Sequence, residues 1–419
     1  MEPRRLSHIA EACAGKLRGK DARAIGVSTD SRTIKAGDVF FAIKGDKFDG
    51  HDYVPKLIGA AAVVVERPVS ANCPVIEVAN VRAALGKLGA RYRADFALPV
   101  IAVAGSNGKT TTKEVLGTIL QQKFPTIRSE ASFNNDIGVP LTLLRMSRDH
   151  GAAVLEVGTN HPGELAPLVR MVQPKYGIVT SIGREHLEFF GDVAGVAQEE
   201  GWLAELLPEN GKLFIGQSEW TETIAHRTRA QVVRVGYDLE FKTRLLGRHQ
   251  RQNVALAVAV ARELGLSDAD IQKGLDLCKP AKMRLELWDA NGIQVLDDSY
   301  NANADSMLAA LHTLTELPAR GRRVAILGDM AELGQHTEAA HVEVGKRVAE
   351  LGIDLLVAVG KHAAVTLKAA GGGKQFHDVE SACSGIPELV QPGDLVLLKA
   401  SRAMRIERIG EVLGSQNRG

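Results

Sequence analysis

The sequence predicts an α/β protein built as three consecutive units. Three observations predict it. Along the last third of the chain, short apolar and β-branched runs alternate with helical patterns, which implies a parallel sheet with helices on both faces. Near residue 100 a buried strand runs into a glycine loop and then a helical pattern. At Leu98-Pro99 the composition changes, and proline restricts the residue before it, which marks a boundary. The 419 residues suit two to four domains. With 45% apolar and 24% charged residues the composition is that of a globular protein able to bury several cores.

The formal net charge of +1 gives no reason to expect nucleic acid or an anionic membrane as partner. Cys13, Cys73, Cys278 and Cys383 lie far apart, without zinc spacing, and fit a reducing compartment. No long apolar run follows Met1-Glu2-Pro3-Arg4-Arg5, and the apolar stretches at 60–65 and 255–261 are too short to span a bilayer. A cytoplasmic protein without a signal peptide is expected.

The first unit, residues 1–97, reads as strands at 39–43, 61–65 and 75–78 and helices at 55–59 and 81–95. Polar clusters at 28–32 and 44–51 interrupt this pattern and read as loops. The second unit, 98–279, opens with the strand at 100–104 and a helix at 113–121. Strands follow at 152–157, 176–182, 212–215 and 231–235, with helices at 193–207 and 253–264 and a further helix capped by Ser267. The third unit, 280–419, alternates strands at 294–297, 323–327, 355–359 and 395–398 with helices at 306–316, 339–351, 363–369, 381–390 and 406–413. It reads as a Rossmann-like α/β domain.

The loop Gly105-Ser106-Asn107-Gly108-Lys109-Thr110 has the layout of a phosphate cradle. Glycines let successive N–H groups turn toward an anion, and the helix N-terminus adds partial positive charge. Lys109 would reach the β- and γ-phosphates and Thr110 would coordinate magnesium. Upstream of Gly105 the chain has Ala102, not glycine, and the strict pattern is not met. ATP brings magnesium, which takes hard oxygen ligands. Glu156 ends a neighbouring strand and His186 follows the end of another, where ligands of open parallel sheets gather. Asn134, Asn135, Glu156 and His186 therefore read as converging on the phosphate loop. In the third unit three strands end in polar clusters, at 297–303, 327–334 and 398–404, which together suggest a binding edge.

These motifs closely resemble those of the Mur ligases of peptidoglycan synthesis, over almost the whole chain. The loop at 105–114, the stretches 133–144 and 160–164, and the clusters 297–307 and 327–334 carry the resemblance. It is strongest to the members that add D-alanyl-D-alanine to UDP-N-acetylmuramoyl-tripeptide. The resemblance implies a small α/β N-terminal domain, a central P-loop-type ATPase domain with a mostly parallel sheet, and a C-terminal Rossmann-like domain. It implies an ATP- and magnesium-dependent ligase acting through an acyl phosphate on small-molecule substrates, as a monomer, with closure around ATP. Residue by residue, it directs Gly105, Ser106, Asn107, Gly108, Lys109, Thr110, Thr111, Asn134 and Asn135 at ATP. His249 and Asn253 would flank adenine, Arg284 would meet the γ-phosphate and Asp298 the ribose, with Asn301 beside it. Thr110, Glu156 and His186 would serve the metal. Ser31, Arg32, Lys44, Asp49 and His51 would hold the UDP-sugar end, and Lys399, Ser401 and Arg402 the incoming dipeptide.

Two departures stand out. Family members usually carry a lysine, modified by carbon dioxide to a carbamate that helps hold a second magnesium, where this chain has Glu200. Either the Glu200 carboxylate replaces the carbamate, or Glu200 is a surface helix residue and the second metal site is weakened or absent. The segment between Gly211 and Gly247 is also shorter than usual, so some peripheral strands are expected to be missing. Ala304 stands where proline is common and should loosen one turn. A ligase of the same scaffold with another acceptor, as in folylpolyglutamate synthases, and a catalytically weak ATP-binding homologue are the competing readings.

Overall fold

The computed structural model describes residues 1–415. It contains three main sheets in chain order, each α/β. The first has five strands in the order Lys16–Arg18, Val75–Glu77, Ala62–Val65, Asp38–Phe41, Gly26–Ser28. Only its Lys16–Arg18 edge runs antiparallel. The helix Val81–Arg93 is capped by the Asn80 side chain, which accepts from the Ala83 N–H. Its Leu85, Leu88 and Tyr92 share one apolar core with Val139, Leu143 and Leu168 of the next unit. The first two sheets are therefore fastened by common burial rather than by a free linker. The helix expected at 55–59 is a 3-10 helix, Gly50–Lys56, with Pro55 inside and extended backbone at Leu57.

The central sheet is wholly parallel, in the order Gln231–Val235, Lys212–Gly216, Tyr176–Val179, Val100–Ala104, Ala152–Glu156, Thr126–Arg128. All five residues of Val100–Ala104 are buried, as a strand covered on both faces requires. From this strand the chain goes first to one side of the sheet and then to the other. The loop after Ala104 thus sits where the strand order reverses, the place where open α/β sheets bind ligands. The helix that follows, Lys109–Leu120, begins four residues earlier than the apolar pattern predicts, because its first turn is the polar Lys-Thr-Thr-Thr run. The single helix expected at 193–207 is two, Val193–Glu200 and Trp202–Glu205. They part at Gly201, where a Cβ would collide with the Arg227 guanidinium.

The third sheet has the order Glu286–Ala290, Ile293–Asp297, Leu395–Lys399, Arg323–Gly328, Leu355–Val359, Lys374–Phe376. It is parallel apart from the Glu286–Ala290 edge, a hairpin strand that the sequence pattern did not reveal. The three strands with polar endings are immediate neighbours, so their loops open on one edge. Ala304 opens the helix Ala304–Glu316 fully buried, and a reciprocal Asn303–Ser306 capping box fixes the turn there without proline. Among the described residues no helix is long and apolar enough to cross a membrane.

Candidate active site

The phosphate loop is shaped by what surrounds it. Gly105 and Gly108 both have positive φ, at 114° and 89°. A Cβ on Gly105 would meet Thr180, and one on Gly108 would meet the Asn253 amide, so glycine is needed for space as well as conformation. The Ser106 N–H donates to the Ser181 carbonyl at 2.8 Å and the Asn107 N–H to Ser181 Oγ at 3.1 Å. The Gly105 N–H donates to Glu200 Oε2 at 2.7 Å.

Lys109 folds back over its own loop, donating to the Gly105 carbonyl, and lies 3.4 Å from Glu185 Oε2. Burial opposes its charge, but the carboxylates of Glu185, Glu200 and Glu156 outweigh that and hold its pKa above the ordinary value. Glu156 is 1% exposed. Its Oε1 accepts from Asn134 Nδ2 at 2.9 Å, and the fully buried Lys113 ammonium stands 3.7 Å from its Oε2. Lys113 also donates to the Ala131 carbonyl at 2.5 Å, so it ties the 131–134 loop to Glu156. Asn135 accepts from the N–H groups of Ile137 and Gly138 and starts the helix Gly138–Leu143.

Glu200 is not a surface residue; it is fully buried. Burial pushes its pKa up to about 8, with Lys109 opposing and Glu185 adding to the rise. Glu200 does not line the cavity at the loop mouth. One of its oxygens is held by Gly105, and the other has no hydrogen-bond partner. Glu199 beside it accepts from the Gly163 and Leu165 N–H groups and anchors the start of the helix Leu165–Val172.

That cavity, of about 470 Å³, is formed by two units. From the central unit it takes Ser106, Asn107, Gly108, Lys109, Thr110, Thr111, Asn134, Asn135, Glu156, His186, His249 and Asn253. From the third unit it takes Arg284, Asp298, Asn301 and Lys399. Gly105 is not among the lining residues. Burial lowers the His249 pKa, with Asp298 acting against it. Arg284 stacks its guanidinium over Tyr300, 4.1 Å from the ring centre. Asp298 and Lys399 face each other at 2.5 Å. Burial lowers the Lys399 pKa and Asp298 partly restores it. Ser401 and Arg402 sit beyond the lining; the Arg402 N–H donates to Asn301 Oδ1 at 3.3 Å.

Specific contacts bridge the two units across this cavity. Asn303 Nδ2 donates to Asn107 Oδ1 at 3.1 Å. Arg184 pairs with Asp305 at 2.6 Å and with Glu343 at 2.5 Å. His186 Nδ1 stands 2.5 Å from Glu332 Oε2, and both residues adopt left-handed backbone, with φ of 46° and 60°. Such backbone is uncommon outside glycine and persists where surrounding structure enforces it.

Ser31, Arg32, Lys44, Asp49 and His51 are not brought to this cavity. Arg32 is exposed and clasps Asp30. His51 is buried, with Nδ1 2.6 Å from Asp49 and Nε2 accepting the Glu66 N–H at 3.1 Å. Sequence reading passed over Glu185, Lys113, Tyr300 and Glu332. Only the position of Glu185, beside His186 and past a strand end, offered a signal.

Among the described residues no three acidic, histidine or cysteine side chains converge tightly enough to hold a metal by themselves. Magnesium does not require that, since it is commonly held by one or two carboxylates together with phosphates and water. Glu156 Oε2 and Glu185 Oε1 are buried, without hydrogen-bond partners, on residues that line the cavity. Two bare carboxylate oxygens beside a phosphate loop fit a hard divalent cation.

Residues 103–237 match the Mur ligase middle domain, 283–402 the Mur ligase glutamate ligase domain, and 24–93 the Mur ligase family catalytic domain. The chain belongs to the Mur ligase family. This Mur ligase is 35% identical to the UDP-N-acetylmuramoyl-tripeptide–D-alanyl-D-alanine ligase of Escherichia coli strain K12, covering 97% of the chain and 98% of the relative. Its structure is similar to that of MurF from Acinetobacter baumannii, with a TM-score of 0.93 and 33% identity over 99% of this chain and 100% of that one. It also resembles MurF ligase from Thermotoga maritima in complex with ADP, with a TM-score of 0.83 and 26% identity over 93% of this chain and 97% of that one. Mur ligases are ATP-dependent amide ligases, and this chain is an enzyme of that class.

Proposed function

We propose that this Mur ligase joins D-alanyl-D-alanine to UDP-N-acetylmuramoyl-tripeptide, converting ATP to ADP and phosphate, in cytoplasmic peptidoglycan precursor synthesis. One observation carries the reading: a single cavity combines a phosphate loop from one unit with Arg284, Asp298 and Lys399 from the next. One chain completes that cavity, which supports action as a monomer.

In this mechanism the tripeptide carboxylate attacks the γ-phosphate and gives an acyl phosphate. The dipeptide amine then attacks the acyl carbon, and phosphate leaves from the tetrahedral state. Lys109 and Arg284 neutralise charge on the transferring phosphoryl group, and the loop N–H groups fix its position. To do so Lys109 must leave the Gly105 carbonyl and Glu185. Thr110, Glu156 and His186 would hold magnesium, which would supply compact positive charge to the phosphate. Glu332 fixes the His186 ring by facing Nδ1, which leaves Nε2 for a ligand. His249 and Asn253 flank the nucleotide base, and Asp298 and Asn301 take the ribose side. Lys399, Ser401 and Arg402 receive the dipeptide once the Asp298–Lys399 pair reorganises. Ser31, Arg32, Lys44, Asp49 and His51 belong to a separate region for the UDP-sugar end, which closure of the first unit would bring near.

The test is phosphate release by the purified chain. Release that requires both UDP-muramoyl tripeptide and D-alanyl-D-alanine supports the assignment. Release with glutamate as acceptor, or none with any acceptor, overturns it.

A further inference from the structure

Glu185 lies in the loop after Tyr176–Val179 and is 5% exposed. It lines the cavity beside the phosphate loop. Its two oxygens are in different situations. Oε2 is 3.4 Å from the Lys109 ammonium, whereas Oε1 is buried with no hydrogen-bond partner. A buried carboxylate oxygen left bare is costly and calls for a cation or a donor; the neighbouring Glu200 carboxyl can donate to it only while it holds a proton. The nearest ammonium does not discharge this need, because Lys109 is shared among three carboxylates and also donates to the Gly105 carbonyl.

The other acids around Lys109 differ. Glu200 also has a bare oxygen, but it sits behind the loop, outside the cavity lining, with its second oxygen on the Gly105 N–H. Glu156 has a bare oxygen on a residue that does line the cavity, though Lys113 is 3.7 Å away. Glu185 and Glu156 are therefore the two carboxylates that combine a bare oxygen with access to the nucleotide space.

We propose that Glu185 is a ligand of the divalent cation that accompanies the nucleotide phosphates, and that Lys109 holds its other oxygen until nucleotide arrives. The inference rests on the nucleotide-binding reading above. When phosphate draws the Lys109 ammonium away, Glu185 Oε2 loses its partner as well. A hard divalent ion, which binds few protein carboxylates and keeps several waters, replaces it. Glu185 would thus exchange one cation for another as the site fills.

Manganese serves as the probe, with the full-length chain. Free Mn²⁺ is measured by electron paramagnetic resonance during titration in saturating ADP, and ADP affinity is measured separately in chelator. Glu185→Gln should weaken Mn²⁺ binding by about tenfold or more. Its metal-free ADP affinity should stay equal or become tighter, since Lys109 is freed. Glu185→Asp should recover part of the Mn²⁺ affinity, and it carries the comparison should the Gln variant not fold. Unchanged Mn²⁺ affinity in a folded variant overturns the inference. So does a loss confined to metal-free ADP binding, which would make Glu185 only a support for Lys109. A parent chain that binds no ADP at all overturns the nucleotide reading itself.

Discussion

Lys109 and Arg32 are both cations a few residues past the end of a strand, yet their surroundings treat charge in opposite ways. Arg32 lies in the open and is matched by Asp30, which its guanidinium clasps with two nitrogens. That partnership holds the Asp30 pKa down at about 2. Nearby, Asp49 is likewise matched by His51 and Arg67. Around Lys109 the groups are buried and their donors and acceptors do not balance: Lys109 and Lys113 serve three acidic side chains, and Glu156, Glu185 and Glu200 each keep an oxygen without a hydrogen bond. A balanced, exposed pair holds a loop in shape and contributes little more. A buried imbalance persists only where a ligand completes it or where the fold supplies enough stability elsewhere.

The sharpest way to break this contrast is Lys109→Ala. It should lower the ligation rate by about 10²–10³-fold, the usual cost of removing a preorganised charge-stabilising group. A near-normal rate in steady-state assays would mean that the imbalance has no catalytic use.

On the balanced side, His51→Ala should cost about 1–3 kcal/mol of stability, because a buried ring is removed and the half-buried Glu66 N–H loses its acceptor. Urea unfolding measures this, and ADP affinity should not move. If ADP affinity fell as well, the two regions would not be independent.

Glu200→Gln sharpens the comparison through pH. The folded-state value of about 8 lies above the ordinary glutamate value of 4.5, so over that interval the native chain holds a proton the unfolded chain has released. The stabilising contribution is complete below the lower value and fades as pH rises through the upper one. The melting temperature of the parent should therefore fall more between about pH 5.5 and about pH 8 than that of the Gln variant. Parallel melting curves would show that Glu200 is ionised throughout.

Arg32→Ala should have the smallest effect on the fold, within about 0.5 kcal/mol, as for most exposed positions. If Ser31 and Arg32 hold the UDP-sugar end, the variant should raise KM for that substrate and leave KM for ATP alone. An unchanged KM for both would remove Arg32 from the proposed substrate region.

Local patterns in the sequence determined a great deal. Unbroken apolar runs such as Val100–Ala104 and residues 395–398 can be satisfied only by strands covered on both faces, so they announce parallel sheets. A glycine loop between such a strand and a helix announces a phosphate cradle. Hairpin strand Glu286–Ala290 escaped this reading because its alternation is broken by Glu286 on the inward set and Leu287 on the outward one, and the early start of Lys109–Leu120 escaped because its first turn is polar. What only the tertiary structure decided was which charges meet. Counting along the helix selects Glu200, but packing drives it behind the loop and leaves Glu185 at the cavity. The pairings of Asp298 with Lys399 and of His186 with Glu332 join segments about a hundred or more residues apart. Periodicity reports which face of an element is buried; the partner across that face depends on strand order and on how the units dock, and neither is written in any local stretch of chain.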